Sequence, residues 1–231
     1  AFPGYTAFPG GKKDPDDGDL ITTVKREIQE ELNYKINKDS EIIKIAKATS
    51  PDFNPTRFET YFFLITLENK PIFDVDENEA AKYGWTTAQD ICLKYKKGQI
   101  LLVPPVRKVF EMLATDKIQF TDFDEKRFDP KLVPSIETIF GLKQLMPLSN
   151  TILPATRTNA FLLGDTEKVL VDPSPKDKDE FNKLLLTIYQ ENIDYILITH
   201  HHGDHHQFTP ELAKEISAKI KISKDSFHRI T

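Results

Sequence analysis

The sequence predicts a mixed α/β chain organised as two domains. Three observations carry that expectation. An amphipathic helical pattern at 19–34 leads into strand-like runs at 41–47 and 56–65. Periodicity is lost after residue 115 in a charged stretch. Beyond it, short strands alternate with a second amphipathic helix. With 231 residues, 39% of them hydrophobic, the chain is long enough for one large or two modest cores.

The first half is organised around Ala7-Phe8-Pro9-Gly10-Gly11-Lys12, which passes through an acidic turn into the helix. Leu20, Val24, Ile28 and Leu32 recur every four positions with Ile21 beside them, the stripe of a helix pressed onto a core. Asp19 is placed to cap its start. Glu27, Glu30 and Glu31 fall at i, i+3 and i+4, so three carboxylates crowd one side of that helix. Such crowding is unfavourable without a cation. Mg²⁺ takes oxygen ligands from a few carboxylates and substrate phosphates, and Arg26, four residues before Glu30, is placed to steady one carboxylate. The plain alternative is a solvated acidic face; the glycine-rich entry speaks for the metal.

After the helix, 41–47 alternates as a half-buried strand, 50–55 breaks it with turn residues, and 56–65 is aromatic and β-branched. Arg57 reads either as a phosphate contact or as a surface ion pair. Glu79, one acid in an acidic loop, reads as solvated, and Trp85, the single tryptophan, is expected in the core. Helices are expected at 87–93 and 105–113, the second with Val106, Val109, Phe110 and Leu113 on one stripe.

The stretch from Gly11 to Tyr34 resembles the signature of the Nudix hydrolases, matching at Gly11, Arg26, Glu27, Ile28, Glu30, Glu31 and Tyr34. It departs in three respects. The spacing from Gly11 to Arg26 is one residue longer, Gly18 stands in the place of the first Glu, and Asn33 replaces the closing Gly. Asn tolerates the left-handed conformation of a helix C-cap. The longer acidic loop resembles that of the coenzyme A diphosphatase branch. The resemblance implies an α/β/α sandwich over 1–115, with a strand before residue 1 expected to be missing. It also implies Mg²⁺ or Mn²⁺ held by Glu27, Glu30 and Glu31 with Arg26 in the catalytic set. The substrate implied is a small-molecule diphosphate, a nucleoside diphosphate derivative or a coenzyme A type, bound through Gly11, Lys12 and Arg57.

Residues 116–141 have the composition of a linker. From 142 onward, strands are expected at 142–148, 158–163 and 168–171. A helix follows at 179–189, with Phe181, Leu184, Leu185 and Ile188 at helical spacing, and then a buried strand at 194–198. That strand delivers the chain into Thr199-His200-His201-His202-Gly203-Asp204-His205-His206. Five of the six histidines sit there, and imidazole is the commonest protein ligand for zinc. A helix and one further strand are expected within 214–224.

The run matches the His-x-His-x-Asp-His signature of the metallo-β-lactamase-fold hydrolases, and 158–163 with 169–172 resemble the paired N-terminal strands of that αβ/βα fold. The resemblance implies a first Zn²⁺ on His200 and His202 and a second on Asp204 and His205, with Asp172 supporting the loop. It also calls for downstream His and Asp ligands. Asp225 and His228 do not lie at the family spacing, so 142–231 is expected to be truncated at its C-terminus.

The net charge of −5 disfavours a structural nucleic-acid partner. No apolar run reaches the roughly 20 residues of a membrane span. With Cys92 as the single cysteine, a cytoplasmic protein is expected, and a homodimer is admitted. The competing functional reading is a catalytically weak Nudix-like binding or assembly module attached to a metallo-β-lactamase-fold hydrolase that carries the activity. Gly18 and Asn33 favour it; retention of Arg26, Glu27, Glu30 and Glu31 opposes it.

Overall fold

A computed structural model describes residues 4–51, 53–54, 56–75, 82–115, 117–123 and 129–222. The chain is a mixed α/β protein with two sheets, divided into two compact units. One comprises Ala1–Lys94 and Pro105–Glu125, the other Tyr95–Pro104 and Lys126–Thr231. Glu79, Asp225 and His228 lie outside the described residues. Among the described residues, no helix is long and apolar enough to cross a membrane.

In the first unit, helix α1 (Leu20–Leu32) is capped by Asp19, whose carboxylate accepts from the Thr22 N–H at 2.7 Å. The helix stops where Asn33 takes the left-handed conformation, φ 47°. Its apolar stripe is half-buried, and Ile21 is exposed; the fully buried side chain of the helix is Thr23. Strands β1 (Ile42–Thr49) and β2 (Glu59–Ile65) pair antiparallel, and β3 (Thr121–Asp122) joins the other edge of β1 in parallel. Helices α2 (Ala88–Lys96) and α3 (Pro104–Ala114) fall where helical periodicity puts them. The core gathers Ile45, Ala46 and Val109, with Phe8, Phe62 and Leu64 packed against them. Phe8, immediately before the glycine pair, stacks on Phe110 at 4.5 Å and meets Phe62 edge-on. The loop that enters α1 is thereby anchored to α3 and β2.

The stretch 116–141, with the composition of a linker, carries β3 and β4 (Ser135–Ile139). One expectation is corrected here. Trp85 is not in the core: it is 50% exposed, its indole N–H donates to the Pro71 carbonyl at 3.2 Å, and its ring stacks on Phe73. Satisfying the indole N–H at the surface removes the cost that burial would have to meet.

The second unit holds a six-stranded sheet in the order β4, β5 (Leu142–Leu145), β6 (Ala160–Leu163), β7 (Val169–Val171), β8 (Tyr195–Ile198), β9 (Lys219–Ile222). The first four strands are antiparallel to their neighbours, and β7, β8 and β9 are parallel. Parallel neighbours require crossovers, supplied by α4 (Lys178–Ile188) between β7 and β8 and by α6 (Thr209–Glu215) between β8 and β9. Alternation places Ala160 and Leu162 of β6, and Ile196 and Ile198 of β8, inside. They meet Phe181, Leu184 and Ile188 of α4 and Leu212 and Ala213 of α6 in one core. The helix expected within 214–224 begins earlier, at Thr209, with Pro210 in its first turn. The β6–β7 turn demands Gly164 (φ +96°), because a Cβ there would lie 2.0 Å from the Glu167 carbonyl oxygen.

Leu184→Ala, at a fully buried site, is expected to lower stability by about 2–5 kcal/mol, and Leu186→Ala, on the exposed face of the same helix, by no more than about 0.5 kcal/mol. Urea unfolding followed by circular dichroism separates the two.

Candidate functional site

In the first unit the chemistry converges on Arg26. Its guanidinium reaches Asp17 Oδ2 at 3.0 Å, Glu27 Oε1 at 3.0 Å and Glu30 Oε2 at 2.8 Å, and donates to the Lys12 carbonyl at 3.0 Å. A planar fork of donors suits such multiple attachment. Asp17 is 6% exposed and also accepts from the Asp14 N–H at 3.0 Å. The hydrogen bond from Arg26 holds the Asp17 carboxyl down, from its ordinary 3.8 to about 2; burial opposes the shift and loses. The same contacts, Asp17 foremost, push the Arg26 guanidinium up.

Asp17 is the residue that counting missed. Reckoned back from Arg26, the position of the first Glu falls on Gly18, but the acidic turn places the carboxylate one residue earlier. Counting forward from Gly11 would have found it.

Glu31 is held differently, accepting from the Gly10 N–H at 3.2 and 3.3 Å. Gly11 is required by close approach: a Cβ on it would lie 2.5 Å from Glu27 Oε1. The glycine pair is therefore a seat for two carboxylates of α1. Among the described residues, Glu27, Glu30 and Glu31 do not form a trio with donor atoms within 4.8 Å of one another. They are distributed between Arg26 and Gly10. The Lys12 carbonyl belongs to the cluster. Arg57 donates to the Ser50 carbonyl at 3.2 Å, beside the Ser50–Phe58 backbone bond that closes the turn between β1 and β2.

In the second unit the histidine loop leaves the C-terminal end of β8, beside the end of β7, where Asp172 sits. Asp172 is 5% exposed and left-handed (φ 47°), a conformation that Asp tolerates better than most residues. Its Oδ1 accepts from the Thr199 N–H at 2.8 Å, and its Oδ2 from the Thr199 hydroxyl at 2.5 Å and from His205 Nδ1 at 3.0 Å.

These bonds determine the tautomers. A carboxylate only accepts, so the single hydroxyl proton of Thr199 goes to Asp172, and Thr199 Oγ1 then accepts from His200 Nδ1 at 2.9 Å. His205 Nδ1 likewise donates to Asp172. In the neutral form of each ring this leaves Nε2 as the nitrogen that carries the lone pair, the form in which histidine binds metal.

Asp172, His200 and His205 each offer a donor atom within 4.8 Å of the others. Asp172 Oδ2 lies on the Nδ1 side of His205, so this carboxylate orients the ring from behind and does not face the side where Nε2 would meet an ion. The His200 and His205 rings lie 3.9 Å apart, centroid to centroid. His202 stands immediately before the four-residue helix α5 (Gly203–His206), its side chain making no capping bond and its ring 4.8 Å from that of His200. Asp204 lies 3.8 Å from His205 Nε2 and is fixed through its backbone, its carbonyl accepting from the Ser149 hydroxyl at 3.3 Å. His200 thus has both His202 and His205 against its ring, and Asp204 lies beside His205 Nε2. The shared Thr199–Asp172 anchor draws His200 and His205 to one carboxylate.

Residues 1–106 match the NUDIX domain family, and residues 153–228 match the metallo-beta-lactamase superfamily. Over 36 residues the chain is 56% identical to the mitochondrial coenzyme A diphosphatase NUDT8 of Mus musculus, a stretch covering 16% of this chain and 17% of that protein.

The depressed Asp17 carboxyl has a defined consequence for pH. A group whose pKa is lowered on folding contributes stability above its unfolded value, and that contribution is lost as pH falls through its folded value. The gap in urea midpoint between the unaltered protein and Asp17→Asn is expected to be full above pH 3.8 and to close as pH falls toward 2. A gap that persists unchanged at pH 2 contradicts the Arg26–Asp17 assignment.

Proposed function

For a chain that carries a NUDIX domain followed by a metallo-beta-lactamase region, we propose a metal-dependent hydrolase of a diphosphate linkage joined to a zinc hydrolase module. The observation that supports it most is the gathering of Asp17, Glu27 and Glu30 on Arg26, with Gly11 seating Glu27 and Gly10 seating Glu31. A solvated acidic face needs none of these contacts. The Asp17 carboxylate on Arg26, one residue from Gly18, speaks for an intact motif over a degenerate one.

The donor chemistry of the two sites fits different ions. Three glutamates suit a hard divalent ion, and a histidine group with one carboxylate suits zinc. When bound, Mg²⁺ or Mn²⁺ at the first site supplies charge neutralisation for a diphosphate, and Zn²⁺ at the second supplies Lewis acidity. In the first unit Glu27, Glu30 and Glu31 would hold the ion. Arg26 keeps Glu27 and Asp17 in place. Its hydrogen bond to Glu30 is the exchangeable one, since Glu30 is exposed. Lys12 and Arg57 offer positive charge to phosphate oxygens. In the second unit His200 and His205 present Nε2, and Asp172 with Thr199 keeps each ring turned that way. The mouse diphosphatase supports a nucleotide-like or coenzyme A-type substrate for the first site.

Two outcomes are expected. The chain releases AMP or another phosphate product from a panel of nucleoside diphosphate derivatives only with Mg²⁺ or Mn²⁺, and Glu30→Gln lowers kcat on the order of 10²-fold or more; release unchanged by Glu30→Gln removes that residue from the mechanism. The chain retains zinc after desalting, as measured by elemental analysis. His200→Ala and His205→Ala lose it while His206→Ala, whose ring bonds to the His201 carbonyl, keeps it.

A further inference from the structure

A solvent-open groove of about 370 Å³ in the first unit is lined by Ile65, Leu67, Glu68, Asn69, Lys70 and Trp85. Three features mark it as a seat for a flat ring. Trp85 is held in orientation by its N–H bond to the Pro71 carbonyl and by stacking on Phe73 at 5.3 Å and 28°, yet half of its surface is left exposed. Ile65 and Leu67 add apolar wall. At the rim, Glu68 accepts, Lys70 donates and Asn69 does both, the mixture that matches the alternating donors and acceptors at a nucleobase edge.

The groove is also tied to the helix that carries the glutamates. Phe73 meets Tyr34 edge-on at 5.6 Å. The Asp74 N–H donates to the Leu32 carbonyl at 3.3 Å, and the Asn33 amide donates to the Asp74 carboxylate at 3.1 Å. The segment bracing Trp85 is therefore fastened to the C-terminal end of α1. Glu31 lies two residues before Asn33, about 3 Å along the helix axis.

We propose that this groove binds the planar heteroaromatic ring of a nucleotide, stacked on Trp85; that the ring belongs to the diphosphate substrate rests on the function proposed above. Stacking a base on an aromatic side chain tolerates any base, so the site sets ligand class rather than base identity.

Trp85 is the single tryptophan, and its fluorescence reports this site alone. In the whole chain without added metal, AMP and adenosine are expected to quench it saturably, with half-saturation at or below about 1 mM, and ribose 5-phosphate is not. The quenching is expected to persist in Glu27→Gln, because ring binding does not use the carboxylates. Quenching that stays linear like that of free N-acetyltryptophanamide, that is equal for ribose 5-phosphate, or that disappears in Glu27→Gln overturns the proposal. Absence of diphosphate hydrolysis alongside saturable AMP quenching would count against the catalytic reading and leave the ring site standing.

Discussion

The first unit depends on one guanidinium. Two like charges 4 Å apart repel by about 4 kcal/mol at an effective dielectric constant of about 20, so carboxylates gather only around positive charge. Arg26 supplies it to Asp17, Glu27 and Glu30 at once. Its placement follows from the helix: i and i+4 bring Glu30 within reach, while the acidic turn folds Asp17 back against the same side chain. Remove the guanidinium and the acids have no reason to stay together. The buried Asp17 would then be left with the Asp14 N–H and too little charge compensation.

The second unit uses the same device with the signs exchanged. There a buried acid, Asp172, organises a hydroxyl and two imidazoles around it. By accepting from Thr199 and His205, and by forcing Thr199 to accept from His200, it settles which nitrogen of each ring is presented. The left-handed backbone at Asp172 is the local strain that aims the carboxylate, at the end of a strand where parallel neighbours β7 and β8 leave room for a site. In both units the chemistry is positioned by a charged side chain whose own partners are fully specified.

Periodicity made the long elements legible. The Leu20–Leu32 helix with its Asp19 and Asn33 ends, the Phe181–Leu184–Ile188 stripe, and the apolar β8 leading into the histidines all follow from local rules. What stayed hidden was non-local. Strand β3 is two residues long and exists only because β1 offers it a parallel edge; β4 acquires its identity from pairing with β5. Trp85 was expected inside on size alone, whereas the Pro71 carbonyl and the Phe73 face hold it half outside. Asp17 escaped because motif spacing is counted in residues and a tight acidic turn is not. At the histidine run the motif names candidate ligands, and the hydrogen bonds of Thr199 and Asp172 add how two of the imidazoles are turned.

The most direct test of the central claim is anomalous diffraction from crystals of the chain soaked in Mn²⁺. The expected result is a manganese peak among Glu27, Glu30 and Glu31, with Glu30 released from Arg26 and Asp17 still bound to it. No peak at that helix, with Glu30 still on Arg26 and Glu31 still on Gly10 at saturating Mn²⁺, would contradict it.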